Sequence, residues 1–287
     1  MAEAPKPVTT HDLLQMKQQG KRIVVLTCYD ALFARLLDAA GVDVLLVGDS
    51  VNQVLAGADT TLSATLDQML YHTKIVRRGT QRAMVVCDMP FLTYQVAPAE
   101  AVRNCGRVMA ETDCHGVKLE GGRPIADTVR ALVDVGIPVM GHLGLTPQSV
   151  HALGGYRVQG RDESTAERLK DDARALEDAG AFALVLEAVP APVAARITEA
   201  LAIPTIGIGA GADTDGQVLV WHDLLGMYQG RTPRFVKRYA ELADEIGAAL
   251  GEYVAEVRSG VFPEEKHTYA IPDEELARFD RLLSDRQ

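Results

Sequence analysis

The chain has 287 residues, of which 47% are hydrophobic and 24% charged, and a net charge of -10. That is enough chain to bury a sizeable core. The acidic balance argues against nucleic acid as a partner, which would need a basic face. No apolar run approaches the ~18 residues of a membrane span.

Residues 1–10 carry prolines and lack the apolar core of a signal peptide. The cysteines Cys28, Cys87, Cys105 and Cys114 form no C-x-x-C and no zinc-finger spacing. Reduced thiols in a cytoplasmic protein are the expectation.

Thr9 and Thr10 precede a short helix over 12–17, ending at Gly20 and predicted to lie across one end of the domain. Residues 22–27 read as a buried strand, 31–40 as a helix with Gly41 after it, and 42–47 as a second strand closed by Gly48, Asp49 and Ser50. Thr65 to Gln68 has capping-box form and starts a helix to Arg78, stopped by Gly79.

The same unit then recurs. Strand 83–87 ends in Asp88, and Pro98 opens a helix to about Thr112. Strand 116–120 is followed by a helix over 125–135, and strand 138–141 ends in His142. After a glycine-containing loop, Ser164 or Thr165 caps a helix to Ala179. Strand 183–186 ends in Glu187, helix 192–202 follows, and strand 204–208 runs into Gly209-Ala210-Gly211. Residues 217–221 form the last predicted strand, ending in His222 and Asp223. A long amphipathic helix is predicted over 234–258 and a charged one over 273–285.

Strands and helices thus alternate about eight times, with nearly continuous apolar strands. That signals a parallel sheet with helices outside. The α/β pattern in one chain of this length favours a (β/α)8 TIM barrel, read as a single domain over 1–287 with an N-terminal helix near 10–20 and a C-terminal helical extension from about 234. A doubly wound open sheet is the alternative.

Active sites of such barrels lie at the C-terminal ends of the strands. Those ends deliver Asp49, Asp88, Lys118 with Glu120, His142, Glu187, the Gly209/Gly211 loop and His222 with Asp223. One acid after one strand is most simply a helix cap or turn residue. Five strands each bringing an ionisable group to one rim are harder to read that way.

Strand alternation places Lys118 and Glu120 on one face, with Val117 and Leu119 on the other. Asp49, Asp88 and Glu120 are hard oxygen donors of the kind that suits Mg²⁺, and together they would repel without a cation. Glu187 ends an apolar strand, where burial would make it a usable base; a salt bridge to Lys118 or a capping role is the other reading. His142 could face a developing oxyanion or be a hydrogen-bonded core residue. The glycines 207–211 do not match G-x-G-x-x-G and read as a loop passing close to a ligand. Arg77, Arg78 and Arg82 read as a solvated face.

Several long motifs extend this picture: T-C-Y-D at 27–30, V-G-D-S at 47–50, D-M-P-F at 88–91, V-K-L-E-G-G at 117–122, G-H-L-G-L-T-P-Q-S-V at 141–150, G-G-Y-R-V-Q-G-R at 154–161 and G-I-G-A-G at 207–211. In this order they resemble the ketopantoate hydroxymethyltransferase family over roughly residues 10–267. The resemblance implies a phosphoenolpyruvate mutase-like barrel in pantothenate synthesis. It implies hydroxymethyl transfer from 5,10-methylenetetrahydrofolate to 3-methyl-2-oxobutanoate through a Mg²⁺-stabilised enolate. Asp49, Asp88 and Glu120 are then the metal carboxylates, and Asp49, Ser50, Asp88 and Lys118 the 2-oxo acid site. Glu187 is the proton acceptor, Lys118 offsets enolate charge, and His142 lines the site. The family also implies a homo-oligomer, typically a decamer. Two rivals are a Mg²⁺-dependent C–C lyase of the same barrel superfamily, expected to carry a cysteine-containing loop in place of 141–150, and a non-catalytic barrel, expected to lack the rim carboxylates.

Overall fold

Eight short apolar runs become the strands of a closed parallel barrel in the computed structural model, which describes residues 6–230 and 232–284. The strands are β1 (Ile23–Thr27), β2 (Val44–Val47), β3 (Met84–Asp88), β4 (Gly116–Glu120), β5 (Val139–Gly144), β6 (Ala183–Glu187), β7 (Thr205–Ile208) and β8 (Gly216–Leu219). Each pairs with the next in sequence, and β8 closes onto β1. Before, between and after them run α1 (Thr10–Gln18), α2 (Ala31–Ala39), α3 (Val51–Val54), α4 (Leu66–Gly79), α5 (Pro98–Thr112), α6 (Ala126–Asp134), α7 (Glu163–Asp178), α8 (Ala191–Ala200) and α9 (Trp221–Leu224). The barrel belongs to one compact unit, Met1–Ala240; Glu241–Gln287 forms a second.

Alternation splits each strand between two cores. Val117 and Leu119 join Val85, Val139 and Leu184 in the layer between strands and helices. Ile23, Val44, Met84, Met140 and Ile206 fill the barrel interior. Leu13 and Met16 of α1 pack into that interior cluster, so α1 plugs the N-terminal end of the barrel. Burying Leu13 alone stabilises the plug by about 2 kcal/mol. A Thr9–Asp12 capping box starts the helix, and Lys17 Nζ ties it to Asp215 Oδ2 at 2.9 Å. The opposite, C-terminal end is left for chemistry.

The sequence reading departs from the structure at several places. β1 is not wholly buried: Val24 is 47% exposed, because the helical element after β8, α9, is a single turn. The short helix α3 was not anticipated. α7 is capped by Asp162, with Thr165 as the reciprocal partner in its capping box, rather than by Ser164 or Thr165. β8 ends at Leu219, so Trp221 and His222 lie in a helical turn and not in a strand. Arg77 and Arg82 are not simply solvated: Arg77 holds the Asp113 carboxylate and carbonyl, and Arg82 holds Asp43 and the Val42 carbonyl.

The second unit holds α10 (Leu242–Ser259), ended by Gly260 at φ +76, and α11 (Asp273–Ser284). The helix predicted over 234–258 therefore starts eight residues late. Residues 232–241 instead form a strap held by Tyr239 N–H donating to Leu224 O at 2.8 Å and Arg238 donating to Tyr228 O and Thr232 Oγ1. Position 285, the predicted end of the last helix, lies outside the described residues. Among those described, no helix is long and apolar enough to cross a membrane.

Candidate active site

Strand register builds the site. Asp88 pairs with Lys118, Glu120 with His142, and Gly144 with Glu187. The side chains of β3, β4, β5 and β6 therefore converge at the C-terminal rim. Asp49 follows β2, and its backbone N–H donates to Asp88 Oδ2 at 3.3 Å. Asp49, Asp88 and Glu120 each place a carboxylate oxygen within 4.8 Å of the others, and all three are buried.

Lys118 Nζ lies 2.8 Å from Asp88 Oδ1, 3.7 Å from Glu120 Oε1 and 3.1 Å from His142 Nδ1. His142 is flanked on both sides: Nδ1 is 3.3 Å from Glu120 Oε1, and Nε2 is 3.3 Å from Glu187 Oε2. Ser50 Oγ shares a hydrogen bond with Tyr29 OH at 2.8 Å. All seven residues singled out in the sequence, Asp49, Ser50, Asp88, Lys118, Glu120, His142 and Glu187, line one cavity of about 590 Å³.

The electrostatics follow from burial. Asp49 is pushed well above the usual carboxylate range by burial and then by the negative charges of Asp88 and Glu120. Burial also raises Asp88, against the pull of Lys118. Glu120 is held below its ordinary value: Lys118 and bonds from His142 and Gln148 outweigh its burial. Burial disfavours the Lys118 ammonium, but three carboxylates more than offset it and raise its pKa. For His142, burial and Lys118 oppose protonation, yet Glu120 and Glu187 push the imidazole up to about 9.

Four carboxylates thus face one ammonium and one imidazole. With all four carboxylates ionised, negative charge is left over in a buried site even when the imidazole is protonated. Without a cation, burial and that repulsion raise Asp49 and Asp88, and a dication would neutralise the excess. The donor set consists of carboxylate oxygens without thiolate, the chemistry of Mg²⁺ rather than of a soft metal.

Two residues that hold the site together were given no role in the sequence reading. Gln148 lies within the 141–150 motif, yet neither spacing nor chemistry marked it. Its backbone N–H donates to Glu120 Oε2 at 3.0 Å, and its Nε2 donates to Asp49 Oδ2 at 3.0 Å. Tyr94, buried, accepts from Glu120 N–H at 2.9 Å and donates to Gln148 Oε1 at 2.8 Å.

One expectation is overturned. His222 does not reach the rim; it packs between Trp221 and Tyr29, with ring centroids 3.7 and 5.5 Å away. The glycines of 207–211 make room for the protein itself: side chains there would run into Thr214 at Gly207, Phe235 at Gly209 and Ala191 at Gly211.

Residues 7–265 match the family model described as ketopantoate hydroxymethyltransferase. The chain belongs to this family. It is 55% identical over 269 residues to the 3-methyl-2-oxobutanoate hydroxymethyltransferase of Pelobacter propionicus, covering 94% of this chain and 100% of that one. It is 56% identical over 266 residues to the enzyme of the same name from Prosthecochloris aestuarii, covering 91% and 96%. Among solved structures, phosphoenolpyruvate phosphomutase from Streptomyces platensis subsp. rosaceus superposes with a TM-score of 0.60 at 14% identity, covering 96% and 98%. A phosphonopyruvate hydrolase complexed with oxalate and Mg²⁺ gives 0.59 at 10% identity, covering 96% of each chain. These two likenesses show that the closed parallel barrel is shared, while the family match shows which family the chain belongs to.

Proposed function

We propose that Asp49, Asp88 and Glu120 hold Mg²⁺, that Glu187 is the proton acceptor, and that Lys118, His142 and Ser50 position the 2-oxo acid and its developing charge. The chain is a hydroxymethyltransferase. With one water consumed, it moves the one-carbon unit of 5,10-methylenetetrahydrofolate to C3 of 3-methyl-2-oxobutanoate, giving 2-dehydropantoate and tetrahydrofolate in pantothenate synthesis. The observation that carries the residue roles is the buried carboxylate triad with Lys118 among it at one barrel rim.

Mg²⁺, when bound, polarises the keto group of the substrate and acidifies its C3–H bond. The chain's own groups do the rest. Glu187 faces the cavity with Oε2 against His142, while its other oxygen has no partner among the described residues. That oxygen is free to take the C3 proton. His142 Nε2, 3.3 Å from Oε2, fixes the carboxylate's orientation. Lys118, kept as an ammonium by its carboxylate neighbours, offsets negative charge as it builds on the substrate oxygen. Val185 and Ile208 line the same cavity and limit water around the nucleophilic carbon.

The assembly is proposed to be a homo-oligomer working in the cytoplasm. Support comes from α10, which exposes Ile246, Leu250, Tyr253, Val254 and Val257, a face suited to a second copy of the chain.

The test omits folate. With Mg²⁺ and 3-methyl-2-oxobutanoate in D₂O, the protein should exchange the C3 hydrogen, followed by proton NMR. No exchange by folded, metal-loaded protein would rule out proton abstraction at this site.

A further inference from the structure

The polar floor accounts for only part of the cavity. A five-carbon acid bound at Lys118 and the carboxylate triad leaves the outer part of a cavity of about 590 Å³ open. That outer part has a different chemistry. Tyr228 and Phe235, 49% and 39% exposed, line it beside Pro233 and Val220, whereas Asp49 on the floor is 3% exposed.

The aromatic wall is preformed. Tyr239 N–H donates to Leu224 O at 2.8 Å, and Arg238 donates to Tyr228 O at 3.2 Å and Thr232 Oγ1 at 2.6 Å. The Phe235 ring packs so closely over Gly209 that a Cβ there would sit 2.7 Å from its Cδ1.

Asp223, on α9, lines the same outer wall. It is half-buried, and Arg238, the cation that acts on its carboxylate, does not line the cavity and donates hydrogen bonds to Tyr228 O and Thr232 Oγ1. The cationic side chains lining the cavity, Lys118 and His142, both sit on the floor. An anionic group is therefore unwelcome at the outer wall. A flat, neutral ring that donates adjacent N–H bonds fits it: the ring stacks on the aromatic wall and the carboxylate accepts from it.

We propose that this wall is the pteridine subsite of the folate co-substrate, with the Asp223 carboxylate accepting from the ring N3–H and 2-amino groups. This rests on the function proposed above. The subsite places the pteridine ring between the floor and solvent. The glutamate tail of the folate then projects away from the acidic cavity. The other acid at the outer wall, Asp59, is exposed, so water competes for its bonds and it contributes less.

Asp223→Asn and Phe235→Ala test the assignment, with tetrahydrofolate as the calorimetric probe and 6-methyltetrahydropterin as a probe lacking the tail. Asp223→Asn should weaken both probes by about 10–100-fold, the loss expected for one charge-assisted pair. The KM for 5,10-methylenetetrahydrofolate should rise with kcat nearly constant. The C3–H exchange measured without folate should stay within about twofold, which also reports an intact fold. Phe235→Ala should weaken both probes as well. Unchanged affinity for both probes in Asp223→Asn overturns the assignment. A loss confined to tetrahydrofolate also overturns it, since that would place Asp223 at the tail. Absence of exchange in the unsubstituted protein would instead sink the functional reading beneath it.

Discussion

Gln148 Nε2 donates to Asp49 Oδ2 at 3.0 Å, while the backbone N–H of the same residue donates to Glu120 Oε2 at 3.0 Å. One residue therefore ties together two carboxylates that arrive from β2 and β4. Its own side chain is fixed from both ends: Tyr94 OH and Gln95 Nε2 donate to Oε1, and Nε2 also donates to Met89 O at 2.8 Å. Partners that orient ligands govern affinity nearly as strongly as the ligands do. Gln148→Leu should lower Mg²⁺ affinity by about 10–100-fold in calorimetry. Affinity within twofold of the unsubstituted protein would show that the carboxylates hold their geometry unaided.

Glu187→Gln separates proton removal from binding. The amide keeps the shape and can still meet His142, but it cannot accept the C3 proton. Exchange of the C3 hydrogen should fall by about 10²–10⁴-fold, the usual contribution of a positioned base. Mg²⁺ affinity should stay within about twofold, because Glu187 is not one of the clustered carboxylates. Retained exchange would move the base role to another group at the rim.

The fold was legible because the period-two pattern and the glycine stops are local signals. Val117, Lys118, Leu119 and Glu120 needed only alternation to be sorted into the two cores. The rim was legible because five strands brought an ionisable residue to their C-terminal ends. Gln148 was not, since a neutral amide in a loop gains its meaning only from Asp49, 99 positions away. His222 misled because it followed an apolar run; its ring stacks on Trp221, and the strand ends two residues before that tryptophan. The strap at 232–241 has an amphipathic pattern that continues into α10, but long-range bonds to Leu224 and Tyr228 override helix propensity there.

Gly144 shows how the backbone guards the base. It sits at φ +90, and a Cβ there would overlap the Glu187 carbonyl oxygen and lie 2.7 Å from Val189 Cγ2. That carbonyl also accepts from Leu145 N–H at 2.8 Å. Gly144→Ala combines an unfavourable φ with overpacking and should cost about 3 kcal/mol in urea unfolding. It should also slow C3–H exchange, because Glu187 must shift. Gly106, inside α5, has open space around it. Gly106→Ala should instead stabilise by about 0.5–1 kcal/mol. Equal effects at the two positions would count against the steric argument.

His222 makes stability depend on pH in a definable window. Burial against Trp221 and Tyr29 lowers its pKa to about 4, against a weak opposing pull from Asp30. Its Nδ1 is buried with no hydrogen-bond partner among the described residues, which disfavours the charged ring further. In the unfolded chain the imidazole titrates near ~6.5. Between these values the unfolded state binds more protons, so this residue's contribution is complete above about 6.5 and is lost as pH falls toward 4. At about 1.4 kcal/mol per pKa unit, discounted for solvent reaching one side of the ring, the loss is about 2 kcal/mol. His222→Phe keeps an aromatic ring in the stack and has no proton to bind. Its unfolding free energy, measured across pH 4–6.5 in parallel with the unsubstituted protein, should fall less steeply as pH drops. Identical slopes would place the acid sensitivity of the barrel elsewhere.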